Sequence, residues 1–282
     1  MGRGSAPAGA GAHMLAGKGV DKMEIALLMA AGGTGFTFLM TALGSAVVLV
    51  LGHKVGIGIQ RAFFGFAAGI MLAASVFSLL LPAIERAEGG PVPGWLAAGG
   101  GMAMGVGFLM ALDRFIPHLH PDAGGPEGMK ASWKRTTLLT LAVTLHNIPE
   151  GMAVGLSFAL AAGGGDFSGA MALALGIGIQ NFPEGAAVSL PLRQEGFSRR
   201  KAFQRGVASG AVEPLFGILV VLVYGVIGPL MPWLLAFAAG AMLYVAVEEL
   251  IPQAHLDVHA DFGTLSVMAG FLLMMVLDVA LG

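Results

Sequence analysis

Residues 146–151 read HNIPEG, and residues 180–185, which lie 34 positions later, read QNFPEG. We call these the first and the second motif. Both lie inside long apolar runs, and the match continues with Ala153-Val154 against Ala187-Val188. Even on a lenient insertion scale, a carboxylate at the centre of a bilayer costs at least about 2.5 kcal/mol. Two copies of one polar motif in such surroundings predict two halves of one buried cation site.

The composition indicates an all-α integral membrane protein. Of the 282 residues, 56% are hydrophobic and only 11% are charged, whereas soluble proteins carry about 25% charged residues. The absence of cysteine excludes disulfides and thiolate metal sites. The net charge of −2 gives no sign of a nucleic-acid partner. The sequence contains no G-x-x-x-x-G-K-[ST] motif, so direct use of ATP is not expected.

A single domain of eight transmembrane helices is predicted for residues 23–282, since each such helix needs about 20 mostly apolar residues. The predicted helices are 24–51, 62–84, 94–116, 136–162, 169–192, 203–228, 231–252 and 263–281. Residues 1–22 are predicted to be a disordered tail, without a signal peptide. Residues 117–135 are rich in glycine, proline and histidine, which predicts a flexible loop.

The distribution of basic residues predicts the orientation. With eight helices, the first, third, fifth and seventh loops share one side and hold eleven lysines and arginines, against four on the other side. The positive-inside rule places the basic loops, including 117–135, in the cytoplasm and both termini outside. The predicted location is the cell membrane, in bacteria the inner membrane.

A second internal repeat predicts that helices 1–3 and 6–8 form an inverted repeat around the antiparallel fourth and fifth helices. The matches are FAAGIML at 66–72 with FAAGAML at 237–243, GFLM at 107–110 with GFLL at 270–273, and a Leu-Asp pair ending at Asp113 and at Asp278. Transporters are often built from such repeats, with the binding site near mid-membrane at the repeat interface.

The two motifs carry candidate metal ligands at helical spacing. His146 and Glu150 are four residues apart and share one helix face, and the sixth helix adds Glu213 beside Pro214. The predicted ligands are His146, Asn147, Glu150, Gln180, Asn181, Glu184 and Glu213. One imidazole with carboxylate and amide oxygens suits zinc, cadmium, iron(II), manganese or cobalt.

With the paired motifs, the FAAGxML segments and Glu213-Pro214, the sequence from about residue 24 to its end resembles the ZIP family of divalent-metal transporters. The resemblance implies a binuclear centre on helices 4 and 5, with Met71 as a soft ligand. It further implies import, homodimers, and alternating access by movement of helices 1, 4, 5 and 6 against helices 2, 3, 7 and 8. Zinc or cadmium is then the transported ion, and no resident cofactor is expected.

The second motif departs from the family pattern at one position. Some members carry aspartate where this chain has Asn181. Glu150, Glu184 and Glu213 together hold a charge of at most −3, so one divalent ion leaves −1 and two leave +1. We therefore expect the second ion to bind weakly or to be optional.

Further polar residues predict a path through the membrane. Glu85, Asp278 and Ser78 would form an acidic entrance on the outer side, since negative charge attracts cations. The predicted cytoplasmic exit combines carboxylates and histidines after the third helix and around the end of the seventh. Its residues are Asp113, His118, His120, Glu248, Glu249, His255 and His259.

Two other functions remain open at this point. An intramembrane metalloenzyme would need H-E-x-x-H, and Asn147 occupies the position of the glutamate. A proton- or sodium-coupled carrier of a non-metal solute would seldom need histidine and amides around three glutamates. The favoured prediction is a transporter of divalent metal ions and not an enzyme.

Overall fold

The computed structural model describes residues 9–50, 56–115, 135–165, 167–254 and 261–281, and within these ranges the chain is helical without β-strands. The elements are α1 Gly9–Val50, α2 Ile57–Ala74, a first π-helical segment Ser75–Leu80, α3 Leu81–Ala87, α4 Gly94–Phe115, α5 Arg135–Ala162, α6 Phe167–Gln194, α7 Arg199–Gly210, α8 Val212–Ile227, a 3₁₀ turn Gly228–Leu230, α9 Met231–Val245, a second π-helical segment Ala246–Leu250, α10 Ile251–Ala254 and α11 Asp261–Leu281. α1 thus begins inside the stretch predicted to be a tail.

Five stretches of the described residues are long and apolar enough to cross a membrane, which confirms a helical membrane protein. They are Lys22–Val50, Gly58–Ala87, Gly94–Leu112, Arg199–Ala254 and Asp261–Leu281. Helices α5 and α6 are not among them, because the polar residues of the two motifs lower their hydropathy. Each is nevertheless 28 residues long, or about 42 Å at 1.5 Å per residue, which exceeds the roughly 30 Å hydrocarbon core.

The second and seventh predicted helices each contain a π-helical segment just before a proline. Leu81 donates its N–H to the carbonyl of Val76, and Ile251 donates to the carbonyl of Ala246. Pro82 and Pro252 follow, and proline has no N–H with which to continue the α-helical pattern. Single π-turns of this kind are frequent at functional sites. The sequence patterns did not predict these segments.

The sixth predicted helix, 203–228, is in fact two helices that meet at Ala211. α7 begins at Arg199 behind the N-cap Ser198, whose side chain accepts a hydrogen bond from the N–H of Lys201. The break precedes Pro214, whose ring clashes with the carbonyl four residues earlier in a continuous helix. It therefore sets Glu213 in the first turn of α8.

The two FAAG segments, in α2 and α9, each pack against a glycine of a neighbouring helix. A Cβ on Gly105 would collide with Phe237 and Ala241, and one on Gly270 with Phe66 and Ile70, the corresponding residues of the FAAG segments. Gly107 has nothing within 4 Å. The alignment of Gly107 with Gly270 was therefore wrong by two residues, and Gly105 is the counterpart, a register that also aligns the two Leu-Asp pairs.

Close helix contacts also position the polar motifs. A Cβ on Gly185 of α6 would collide with the backbone of Thr41 in α1, and one on Gly151 of α5 would collide with the backbone of Glu213 in α8. Small residues let membrane helices approach this closely. Helices α1, α5, α6 and α8 thus converge at the level of the two motifs.

Candidate metal centre

His146 pairs with a carboxylate from the other end of the sequence. Its Nε2 lies 2.5 Å from Oε1 of Glu249, and both side chains are buried, at 8% and 6% exposure. Glu249 belongs to the second π-helical segment, which turns it toward α5. A carboxylate that accepts from one ring nitrogen fixes the orientation of the imidazole and raises its basicity, as behind metal-ligating histidines. Glu249, predicted as an exit residue, therefore lies at the central site.

Glu150 and Gln180 join the two motifs directly. Gln180 donates from Nε2 to Oε1 of Glu150 at 2.6 Å, and both residues are fully buried. The other carboxylate oxygen of Glu150, Oε2, has no hydrogen-bond partner, and neither does Oε1 of Gln180. Buried polar oxygens normally have partners, so these two atoms are available to a cation.

Glu213 lies in a separate set of hydrogen bonds. Thr41 donates to its Oε1 at 3.0 Å, and Asn181 donates from Nδ2 to its Oε2 at 2.7 Å. Asn181 Nδ2 also lies 3.4 Å from the carbonyl oxygen of Thr37. Both oxygens of Glu213 therefore already accept from protein donors, unlike those of Glu150.

The sequence patterns missed the contribution of α1. Its buried polar residues Thr34, Thr37, Thr41 and Ser45 follow one another at intervals of three and four, which places them along one helix face. That spacing inside an apolar run was the signal that could have found them. The stripe faces α6 and α8, since Ser45 donates to the carbonyl of Gly185 and Thr41 donates to Glu213.

The buried charge of this region is mainly negative. Glu150, Glu213 and Glu249 are buried and Glu184 is half-buried, whereas no lysine or arginine of the described residues is buried. Glu150 interacts electrostatically with Glu184 and Glu213, and Glu184 with His146 and Glu249. Buried charges are normally paired or bound to metal ions. Among the described residues, His146 is therefore the one buried side chain of this region that can carry a positive charge.

The amide oxygens are needed to complete a metal site. Among the described residues, no three His, Asp or Glu side chains lie close enough to hold an ion by themselves. Asn147 Oδ1 and Asn181 Oδ1 are, like Glu150 Oε2 and Gln180 Oε1, buried without hydrogen-bond partners. Asn147 is held by its amide nitrogen, which donates to the carbonyl of Ser209 at 2.9 Å. An oxygen-rich set with one imidazole fits a divalent transition metal.

Comparison with known proteins identifies the family. The family model described as ZIP zinc transporter matches residues 125–278. Zinc transporter ZIP11 of Homo sapiens is 35% identical, over 89% of this chain and 96% of that relative. Zinc transporter ZIPB of Bordetella bronchiseptica is 39% identical, over 94% of this chain and 84% of the relative. The chain belongs to the ZIP family.

A further bacterial relative, which is matched over its whole length, supports the assignment to the ZIP family. Zinc transporter ZupT of Escherichia coli is 35% identical, over 92% of this ZIP chain and 100% of the relative. The predicted resemblance is thereby confirmed. Since the relatives are named as transporters, the choice of a transporter over an intramembrane metalloenzyme is confirmed as well.

Two of the three residues of the predicted entrance lie together. Ser78, in the first π-helical segment, donates to Oδ1 of Asp278 in α11 at 2.5 Å. Glu85 is exposed near the end of α3, and Met71 is fully buried in the apolar core. The role of Met71 as a ligand stays a prediction.

The predicted exit is described only in part. Glu248 is exposed, in contrast to its buried neighbour Glu249. The side chain of Asp113 and the four histidines of the predicted exit lie outside the described residues, as does most of the predicted loop 117–135. These histidines are His118, His120, His255 and His259.

Proposed function

We propose that this chain carries divalent transition-metal ions, zinc foremost, across the cell membrane into the cytoplasm through the site between the two motifs. The relatives named as zinc transporters support the substrate. The observation that carries the proposal is the buried acidic cluster around His146 and Glu150, which has no lysine or arginine among the buried residues described. Cadmium, iron(II) and manganese suit the same ligands.

The proposed architecture has eight transmembrane helices, with an inverted repeat around α5 and α6 and both termini outside. The matching glycine contacts of α4 with α9 and of α2 with α11 support the repeat. The excess of lysine and arginine on one side supports the orientation. The homodimer stays a prediction from the family resemblance.

We propose that the ion crosses by alternating access. The tightest contacts of glycines with the backbone of a facing helix fall within two groups, α1 with α6 and α5 with α8 in one, α2 with α11 and α4 with α9 in the other. The pair of His146 and Glu249 joins the two groups. Separation of the groups would therefore break this pair and release an ion held beside it.

One ion is expected to bind tightly and a second weakly. Glu150 has an oxygen without a partner, whereas both oxygens of Glu213 accept from Thr41 and Asn181. A second ion at Glu213 would have to displace these donors. This supports a site that is mononuclear at low metal concentration.

Uptake of radioactive zinc and cadmium into proteoliposomes tests the proposal. We expect Glu150→Gln and Glu184→Gln each to lower uptake strongly, because each removes one negative charge from the cluster. Glu88→Gln is the matched control, since Glu88 is exposed. Uptake that is unchanged in both cluster variants would show that the ion does not use this site.

A further inference from the structure

Basic residues cluster on the surface where α6 meets α7. Five lysines and arginines fall between residues 193 and 205. Arg193 donates to the carbonyl of Phe197 at 2.8 Å, and Arg199 donates to the carbonyl of Leu49 at 3.2 Å. These two arginines thus tie the α6–α7 turn and the end of α1 together. The remaining three residues of the cluster, Arg200, Lys201 and Arg205, are exposed.

A cavity of about 490 Å³ opens beside this cluster, lined by Phe197, Lys201, Gln204, Arg205 and Ala208. Lys201, Arg205 and Ala208 follow one another at intervals of four and three, so they share one face of α7. Phe197 contributes an apolar wall. Within the part of the chain that the structure describes, neither basic side chain forms an ion pair with a carboxylate, so the cavity has a positive lining.

The cavity lies at a border between charged and apolar surface. The end of α1, to which Arg199 is bonded, exposes Leu49 at 40% and Val50 at 82%. An exposed apolar helix end next to a basic cluster is typical of the level where lipid headgroups meet acyl chains. The basic side of the protein is also the side that the positive-inside rule predicts to face the cytoplasmic leaflet.

We propose that this cavity binds the headgroup of an anionic phospholipid, with Lys201 and Arg205 on the phosphate and Phe197 beside the upper acyl chain. Clusters of four to eight lysines and arginines next to a membrane helix bind anionic lipids. Such a site goes beyond metal transport, and its binding test does not depend on transport.

The bound lipid would act on the metal centre through α7. Ala208 lines the cavity, and the next residue, Ser209, accepts the amide hydrogen bond of Asn147 through its carbonyl. Gly206 on the same helix packs against Ser45 of α1. A headgroup held against α7 therefore stabilises the helix that positions Asn147.

Native mass spectrometry of the delipidated full-length protein tests the proposal, with phosphatidylglycerol and phosphatidylcholine of identical chains as probes. The wild type should bind one phosphatidylglycerol in preference to phosphatidylcholine. Lys201→Gln with Arg205→Gln should weaken that binding by about 30-fold, as expected for two basic groups at an anionic headgroup. Arg86→Gln with Arg114→Gln removes two exposed charges outside the cluster and should leave the affinity unchanged.

A second variant tests the cavity without changing charge. Ala208→Trp fills the space and should also abolish selective binding, so it decides the matter if the double glutamine variant does not fold. Equal losses in the two double variants would overturn the proposal in favour of diffuse attraction. Unchanged binding in Ala208→Trp, or displacement of the lipid by glycerol phosphate at equal concentration, would overturn it as well.

Discussion

Replacing Asn181 with aspartate should convert the optional second site into a tight one. In the wild type, Asn181 Nδ2 donates to Glu213 Oε2 at 2.7 Å. Asn181→Asp removes the donor and places two carboxylates at that separation, where their repulsion reaches about 6 kcal/mol at an effective dielectric constant of 20. The lost charge-assisted hydrogen bond adds about 1.5–3 kcal/mol. A divalent cation between the carboxylates reverses the sign of the interaction.

Two measurements follow from this substitution. Without metal, water or a proton relieves part of the repulsion, so we expect the free energy of unfolding to fall by about 2 kcal/mol. A loss of that size lowers the melting temperature by about 4–8 °C. Cadmium should restore more stability to the variant than to the wild type. Calorimetry should find one tight cadmium ion in the wild type and two in Asn181→Asp. Two equally tight ions in the wild type, or one in both proteins, would refute the reasoning.

Three further substitutions test other contacts. Glu249→Gln should weaken zinc binding by about 10- to 100-fold, as does removal of a carboxylate behind a metal-ligating histidine, here His146; calorimetry measures the affinity. Ser78→Ala should raise the KM of zinc uptake without lowering kcat, because it alters the entrance contact with Asp278 and not the central site. Gly151→Ala should destabilise the protein by about 1–3 kcal/mol in thermal melting, since its Cβ would lie 2.6 Å from the α-carbon of Glu213.

Each of these substitutions has a control. Glu248→Gln alters the exposed neighbour of Glu249 and should leave zinc affinity unchanged; an equal effect would mean that the buried contact with His146 has no special role. Ser266→Ala removes a hydroxyl whose hydrogen bond, among the described residues, stays within α11, and the same rise in KM there would contradict an entrance role for Ser78. Gly107→Ala adds a methyl into open space, so a loss of stability equal to that of Gly151→Ala would argue against the packing explanation.

Most of the candidate site was predictable because its residues are anomalous for their surroundings. Polar groups in apolar helices are costly, so Glu150 and Gln180 stand out without any structure. Thr41 does not stand out, because the hydroxyl of a threonine can donate a hydrogen bond to a backbone carbonyl in the preceding turn of its own helix. Glu249 was noticed but assigned to the exit, since helical spacing does not show how a π-turn rotates a side chain.

The internal repeat shows the same limit at the level of register. Sequence similarity aligned Gly107 with Gly270, whereas the helix contacts align Gly105 with Gly270. Glycine is sterically required only where the backbone of a facing helix lies against it. A Gly/Ala-rich helix offers several near-equivalent alignments. The contact partner, and not the local pattern, distinguishes them.

The sequence by itself determined the class of molecule and predicted the chemistry of its centre. Its hydropathy requires a membrane protein, and the two motifs predict a cation site, because desolvation penalties depend on residue type and location along an apolar run. Only the tertiary structure decided which partner each carboxylate of the centre contacts. It paired His146 with Glu249 and separated Glu150, with an oxygen free of partners, from Glu213, which Thr41 and Asn181 already bond. These pairings join residues up to 172 positions apart, and helix packing, not local sequence, sets such distances.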